Sequence, residues 1–450
     1  MDQIGGVKNI TRRVIYGVSS NVIAQMVNVL IQFAGVPLLL KYWGPAYYGE
    51  WLIMFTIPSF IENADFGLGG SATTEMSMLK EAGDLGRVKE ILRSVFWFIL
   101  LVGGIPFLLL YLSSWFVSWH DFLHLEHITA KDFNLAFPCL IAYVYLTLFL
   151  TIPVGYYRVE KVYHRERYIA VAFKLMEFGG LCLVVFTGHG VVEAALTYLV
   201  IKVCFFIVVF LDLSFKFQEF RIGFFSLHFS KIRHLFKPSL ALMIIFIGQN
   251  MLIQGITTTI GIVLGPIQVV IFNTTRTLMN MAKQVVNIVN LSFISEFSYA
   301  HGQGNKALLG RLYQKVQWTN MGISFVAIAA ILILGHRILE FWTNGKIDIV
   351  QPFFFLFGVS VFFNGFWSGG LILLVATNNQ FKTGIYFLSI SAAILLVIIL
   401  FLKSGGLTLI ASMLVVFEIL MILVISNSCK QTLEIATWNC ISLKRVRLSK

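Results

Sequence analysis

Asn273, Arg276, Asn280, Lys283, Asn287 and Asn290 follow one another through an otherwise apolar stretch at steps of three, four, three, four and three residues. That spacing puts all six on one face of an α-helix. A guanidinium can fork onto phosphate oxygens, a lysine two turns away adds a point charge, and amide side chains suit sugar hydroxyls. The chemistry on offer is recognition of an anionic, hydroxyl-rich ligand rather than bond cleavage. A cation at the middle of a bilayer costs about 2.5–3.5 kcal/mol, so the stripe predicts a protein-lined, hydrated cavity.

Two more apolar stretches carry polar residues at helical spacing: Asn21, Gln25, Asn28, Gln32 and Gly35, then Asn250, Gln254, Thr257 and Gly261. Together the three stripes predict a water-accessible space between two lobes. The competing role for each amide is a helix-to-helix hydrogen bond of about 0.6–2 kcal/mol, but packing needs no unneutralised cations. Lys202 sits in mid-span without an acid one turn away, which leaves a cavity role and an interhelical pair both open. Lys174 and Glu177, three residues apart, are spaced to pair with each other. Glu62, Asp65 and Glu418 also fall inside apolar stretches and are candidates for protonation or ion coupling.

The elements that position these residues follow from composition. Of 450 residues, 58% are hydrophobic and 12% charged, about half the charged fraction of a soluble domain. A spanning helix needs about 20 mainly apolar residues. Such stretches occur at roughly 14–40, 47–72, 94–118, 134–157, 169–187 and 193–213, and again at 238–264, 268–295, 318–337, 352–377, 384–402 and 407–427. The expected fold is therefore an all-α polytopic membrane protein, about twelve transmembrane helices in two six-helix lobes around a central cavity. Its divisions are an N-terminal lobe over 1–213, an amphipathic cytoplasmic linker over 214–237, a C-terminal lobe over 238–427 and a basic cytoplasmic tail over 428–450.

Charge placement supports that count. With the N-terminus inside, 25 of the 34 lysines and arginines fall in inner segments, five in outer loops and four within spans, as the positive-inside bias requires. The net charge of +12 thus reports orientation, with both termini cytoplasmic, and not a nucleic-acid partner. The tail residues Lys444, Arg445, Arg447 and Lys450 suit anionic membrane lipids. At an offset of 221 residues, Gly44-Pro45 matches Gly265-Pro266, and Thr56, Ser71, Glu75, Ser77, Gly83, Val95 and Trp97 also find identical partners. This pairs the second span with the eighth in the same orientation, as a parallel duplication of lobes would.

Enzyme signatures are missing from the sequence: it has no GxxxxGK[ST], HExxH or GxSxG, and outer loops of at most about 16 residues cannot house a catalytic domain. No enzyme activity and no bound cofactor are expected. His120, His124 and His127 have one-face spacing but no fixed fourth ligand, so no metal site is expected. The five cysteines form no disulfide framework or zinc pattern.

The first loop and second span read Trp43-Gly44-Pro45-Ala46-Tyr47-Tyr48-Gly49-Glu50-Trp51 and then Asp65-Phe66-Gly67-Leu68-Gly69. This resembles the polysaccharide transporter branch of the multidrug/oligosaccharidyl-lipid/polysaccharide exporter superfamily, specifically bacterial O-antigen flippases of the Wzx type. The resemblance implies transport of an undecaprenyl-diphosphate-linked oligosaccharide, an O-antigen or related repeat unit, from the inner to the outer leaflet of the bacterial inner membrane. It also implies cationic cavity residues, here Arg276, Lys283, Lys202 and Lys174, with proton or sodium exchange as the candidate driving force. Polysaccharide polymerase and chain-length machinery are the implied protein partners. Rival readings are an ion-coupled multidrug or cation exporter, which should favour an acidic cavity, a membrane-embedded glycan polymerase or transferase, and a scaffold for envelope enzymes.

Overall fold

The computed structural model describes residues 2–60, 67–220, 229–347 and 350–433, all of them in helices or the turns between them. In chain order the helices are α1 (Asp2–Tyr42), α2 (Gly44–Phe60), α3 (Leu68–Glu81), α4 (Leu85–Leu101), α5 (Gly104–Ser113), α6 (Trp119–Phe122), α7 (Ala130–Phe149), α8 (Thr151–Val159), α9 (Tyr163–Phe186) and α10 (Val191–Lys216). They continue as α11 (Phe229–Ile232), α12 (Phe236–Asn250), α13 (Ile256–Leu264), α14 (Pro266–Gly302), α15 (Lys306–Thr343), α16 (Gln351–Ala376) and α17 (Phe381–Leu433). The chain divides into two compact units, Met1–Met243 and Ile244–Lys450.

Among the described residues, nine helices are long and apolar enough to cross a membrane. One of them, α17, turns at Gly406, whose φ of 56° is left-handed, and so supplies both of the last two predicted spans. α14 carries too many polar groups to be counted by apolarity, and α2 is only 17 residues long. Large apolar side chains such as Leu109, Leu183, Val200, Ile333 and Leu400 stand uncovered by protein on these helices, which suits a lipid surround.

In the first unit α10 packs on α7 and α9, α1 on α9, and α3 on α4 and α8. In the second, α16 packs on α14, α15 and α17, while α13 packs on α14 and α17. Two of the glycine matches share their backbone conformation. Gly44 and Gly265 have φ of 77° and 92°, and Gly83 and Gly304 have 80° and 66°, a region that L side chains enter only at a cost. One residue past the second pair, Asp84 accepts the Arg87 amide at 3.1 Å and Asn305 accepts the Leu308 amide at 2.9 Å. A glycine turn followed by an Asp or Asn cap thus recurs at the offset found in the sequence.

The first unit reaches past the expected linker. His234 Nε2 lies 2.6 Å from Glu75 Oε2, and the Ser239 hydroxyl donates to Ser71 at 2.9 Å. Of the linker aromatics, Phe217 and Phe220 pack on Tyr156 at 6.3 and 5.1 Å while Phe215 is exposed. Residues 221–228 and the basic end of the tail, Lys444 to Lys450, lie outside the described residues.

Candidate functional site: a polar cavity in the C-terminal unit

The stripe on α14 faces a cavity of about 570 Å³ whose lining comes entirely from the second unit. Arg276, Asn280, Lys283, Asn287 and Asn290 all line it. Asn273 does not: it is buried behind Arg276, donates to the Val269 carbonyl at 2.9 Å and accepts a guanidinium N–H. Arg276 also donates to the Ile253 carbonyl at 3.1 Å and to Thr257 Oγ1 at 3.3 Å, and its guanidinium lies 5.3 Å from the Phe272 ring centre. These contacts fix the orientation of the guanidinium at the cavity wall.

Lys283 is placed differently. Its ammonium lies 3.6 Å from Glu418 Oε1 on α17. Glu418 is buried, and its carboxylate also accepts the Trp367 indole N–H at 2.5 Å and the Asn364 amide at 3.2 Å. The cavity therefore holds two cations and one carboxylate, a surplus of one positive charge with Glu418 ionised. Sequence spacing had placed Glu418 among coupling candidates and Lys283 among ligand-binding ones, and the fold brings them together.

The stripe expected on the seventh span is split. A five-residue π-helical turn, Met251–Gly255, interrupts α12 and α13, and an inserted residue rotates everything beyond it out of the α-helical phase. Gln249 lines the cavity, whereas Asn250 and Gln254 are absent from its lining; Thr257 meets Arg276 beyond the turn. Gln249, Gln284, Asn364, Trp367 and Ser368 are lining residues that helical periodicity does not single out. Asn364 and Ser368 gave the only signal available, isolated polar residues one turn apart in a span rich in phenylalanine.

Lys202 belongs to another cluster, in the first unit. Its ammonium lies 3.5 Å from Glu177 and 4.5 Å from the Tyr143 ring centre, and Tyr143 donates its hydroxyl to Glu177 at 3.3 Å. The interhelical alternative left open by the sequence is thus the one observed, and the carboxylate that spacing offered to Lys174 is held from α7 and α10. Lys174 is exposed on α9, and Gln25 and Asn28 are half-buried on α1. The side chain of Asn21, and Glu62 and Asp65 entirely, lie outside the described residues.

The three histidines do not converge. His120 bonds Asp121 and the Ile128 carbonyl, His127 bonds Glu50, and His124 occupies a left-handed turn at φ 51°. Burial alone would lower the pKa of His120, but the hydrogen bonds to Asp121 and Ile128 and the charges of Asp121 and Glu50 outweigh it and raise the group above its ordinary 6.5. A raised histidine stabilises fully below its unfolded value and loses that contribution as pH climbs through the folded one. Amide exchange across residues 118–128, corrected for intrinsic rate, should therefore show more frequent opening at about pH 8.5 than at about pH 6. His120→Gln should erase the difference; a wild-type loop with the same opening at both values contradicts the assignment.

Neither a protein-family model nor a characterised relative matches the sequence. The fold does match solved structures. A multidrug resistance MATE family transporter of the MOP superfamily in its inward-facing conformation superposes with a TM-score of 0.73 at 14% identity, covering 93% of this chain and 98% of that one. The lipid II flippase MurJ in an inward closed conformation gives 0.71 at 14% identity over 93% and 87%. A MOP superfamily transporter from Pyrococcus furiosus, described as having a binding pocket of reverse polarity that suggests a different function, gives 0.60 at 14% identity over 94% of each chain. The chain thus has the all-helical, multi-pass fold of the MOP superfamily transporters.

Proposed function

We propose that the protein is a non-enzymatic flippase that carries an undecaprenyl-diphosphate-linked oligosaccharide, an O-antigen or related surface repeat unit, across the bacterial inner membrane by alternating access. Both termini are cytoplasmic in this reading, and the 1–213 and 238–427 lobes flank the linker. The carrying observation is the cavity itself: Arg276 and Lys283 line it beside six amide side chains. A diphosphate can take the guanidinium in a two-point contact, and the amides face hydroxyl-rich sugar. The signature around Trp43–Trp51 supports the reading from sequence, and MurJ shows that this fold can host a lipid II flippase. Glu418, released from Lys283 by the incoming anion, is placed to exchange a proton or a sodium ion.

A second reading, an ion-coupled multidrug or cation exporter, is favoured by Glu418, a buried carboxylate in the cavity of a fold shared with a multidrug resistance transporter. The two readings separate on the cations. Arg276→Gln with Lys283→Gln should lower outer-leaflet delivery of lipid-linked repeat units at least about ten-fold, since each lost charge-assisted hydrogen bond is worth roughly 1.5–3 kcal/mol. Drug efflux should be undiminished. Unchanged delivery in a double variant that reaches the membrane would remove the anion reading.

A further inference from the structure

Lys202, near the middle of α10, places its ammonium in a box of aromatic rings and one carboxylate within the first unit. The ammonium lies 4.5 Å from the Tyr143 ring centre, 5.7 Å from that of Phe205 and 3.5 Å from Glu177 Oε1. Behind Tyr143 the rings continue, with Tyr198 at 5.6 Å and Phe55 at 5.9 Å, and Trp51 stands 6.0 Å from Tyr198. Four helices supply the parts: α2 gives Trp51 and Phe55, α7 gives Tyr143, α9 gives Glu177, and α10 gives Tyr198, Lys202 and Phe205. The Tyr143 hydroxyl donates to Glu177 at 3.3 Å, so the ring nearest the ammonium also holds the carboxylate.

We infer that this box is an organic-ammonium site whose ligand is built into the chain: Lys202 occupies it and thereby bars free organic cations from it. An interhelical ion pair needs only the carboxylate. Two ring faces turned to the same ammonium are what a cation-recognition site adds, because the quadrupole of each ring attracts positive charge. A calcium or magnesium ion takes about six oxygen ligands, whereas ring faces beside a single carboxylate suit an alkylammonium ion. The tether settles the competition. A ligand on a short tether acts at an effective concentration of about millimolar or above, so a dilute free cation does not displace it. The pair is not sealed in, since the Lys202 and Glu177 side chains are 12% and 16% exposed, and a vacated box is therefore reachable. Residue 202 is thus a specificity determinant of the first unit, and its role holds whatever cargo the cavity of the second unit carries.

The test uses the full-length protein in detergent, with n-propylammonium as the probe because it matches the part of the lysine that an alanine lacks. Lys202→Ala should bind it at least about ten-fold more tightly than the unaltered protein does, and at least about ten-fold more tightly than it binds neutral 1-propanol. Lys202→Met keeps the space filled without a charge and should bind the probe no better than the unaltered protein. Adding Glu177→Gln to Lys202→Ala removes the acid and should bring the amine and the alcohol to within about two-fold. Lys202→Ser is a second truncation, so that a defect peculiar to the alanine variant does not decide the result. A truncated protein that unfolds alone should be recovered by the amine and not by the alcohol. Equal affinity of the truncated and unaltered proteins for the amine overturns the assignment. So does an alcohol that serves as well as the amine, or a failure of the amine to recover two unfolded truncations, since Lys202 would then be a packing residue and not the occupant of a cation site.

Discussion

Lys283→Met is expected to destabilise the protein by about 3–5 kcal/mol, the usual cost of leaving a buried charge without its counter-ion. The partner it strands is Glu418, whose side chain is 4% exposed while that of Lys283 is 33% exposed toward the cavity. Glu418→Leu should cost less, about 1–2 kcal/mol, because the lysine it leaves behind can be hydrated from the cavity. Combining Lys283→Met with Glu418→Leu removes both charges and should recover roughly half of the summed loss, a coupling of about 2–3 kcal/mol by double-mutant cycle. Unfolding in detergent, followed for the four proteins, measures it. Equal losses for the two single variants, with no recovery in the double, would mean that the pair does not hold α14 to α17. The double variant also separates structure from transport: it should fold, yet move lipid-linked cargo poorly, because the site then keeps only Arg276 of its two cations.

The part of this site visible in the sequence was the part that obeys one helix's period. Two cations a double turn apart in oil, flanked by asparagines, mark a single face whatever packs against it, and five of those six residues line the cavity. The all-helical, multi-pass character was legible for the same reason, since apolar length is a property of each stretch alone. Partnerships between helices were not. Glu418 was conspicuous as a charge, but nothing local to α17 says that it meets Lys283, and nothing local to α9 says that Glu177 meets Lys202. Trp367 is one aromatic among many in its span, and becomes informative only when its indole N–H is found on Glu418. The π-helical turn at Met251–Gly255 misled the periodicity on the seventh span, because a phase shift within a helix leaves no mark in residue type.

The family-like signature on α2 offers the other large effect, and it falls outside the cavity. Glu50 has no exposed surface, and its carboxylate accepts the backbone N–H groups of Glu126, His127 and Ile128 at 2.7–3.0 Å together with the His127 ring N–H at 2.8 Å. Seven and three residues earlier, Trp43 donates its indole N–H to the His189 carbonyl at 3.2 Å and the Tyr47 hydroxyl accepts the Val191 amide at 3.1 Å. Residues of the signature thus clamp two predicted outer turns to the first unit. Glu50→Ala withdraws the acceptor from a row of backbone donors and should cost about 3–5 kcal/mol. Glu50→Gln keeps one carbonyl oxygen and should fall between the two. Amide exchange should quicken at 126–128 in Glu50→Ala and stay as it was at 189–191, where Trp43 and Tyr47 still hold. Binding of inorganic diphosphate to the cavity of the second unit should be unaffected in whatever fraction folds. Exchange that remains slow at 126–128 without the carboxylate would show that these turns are held by something other than Glu50.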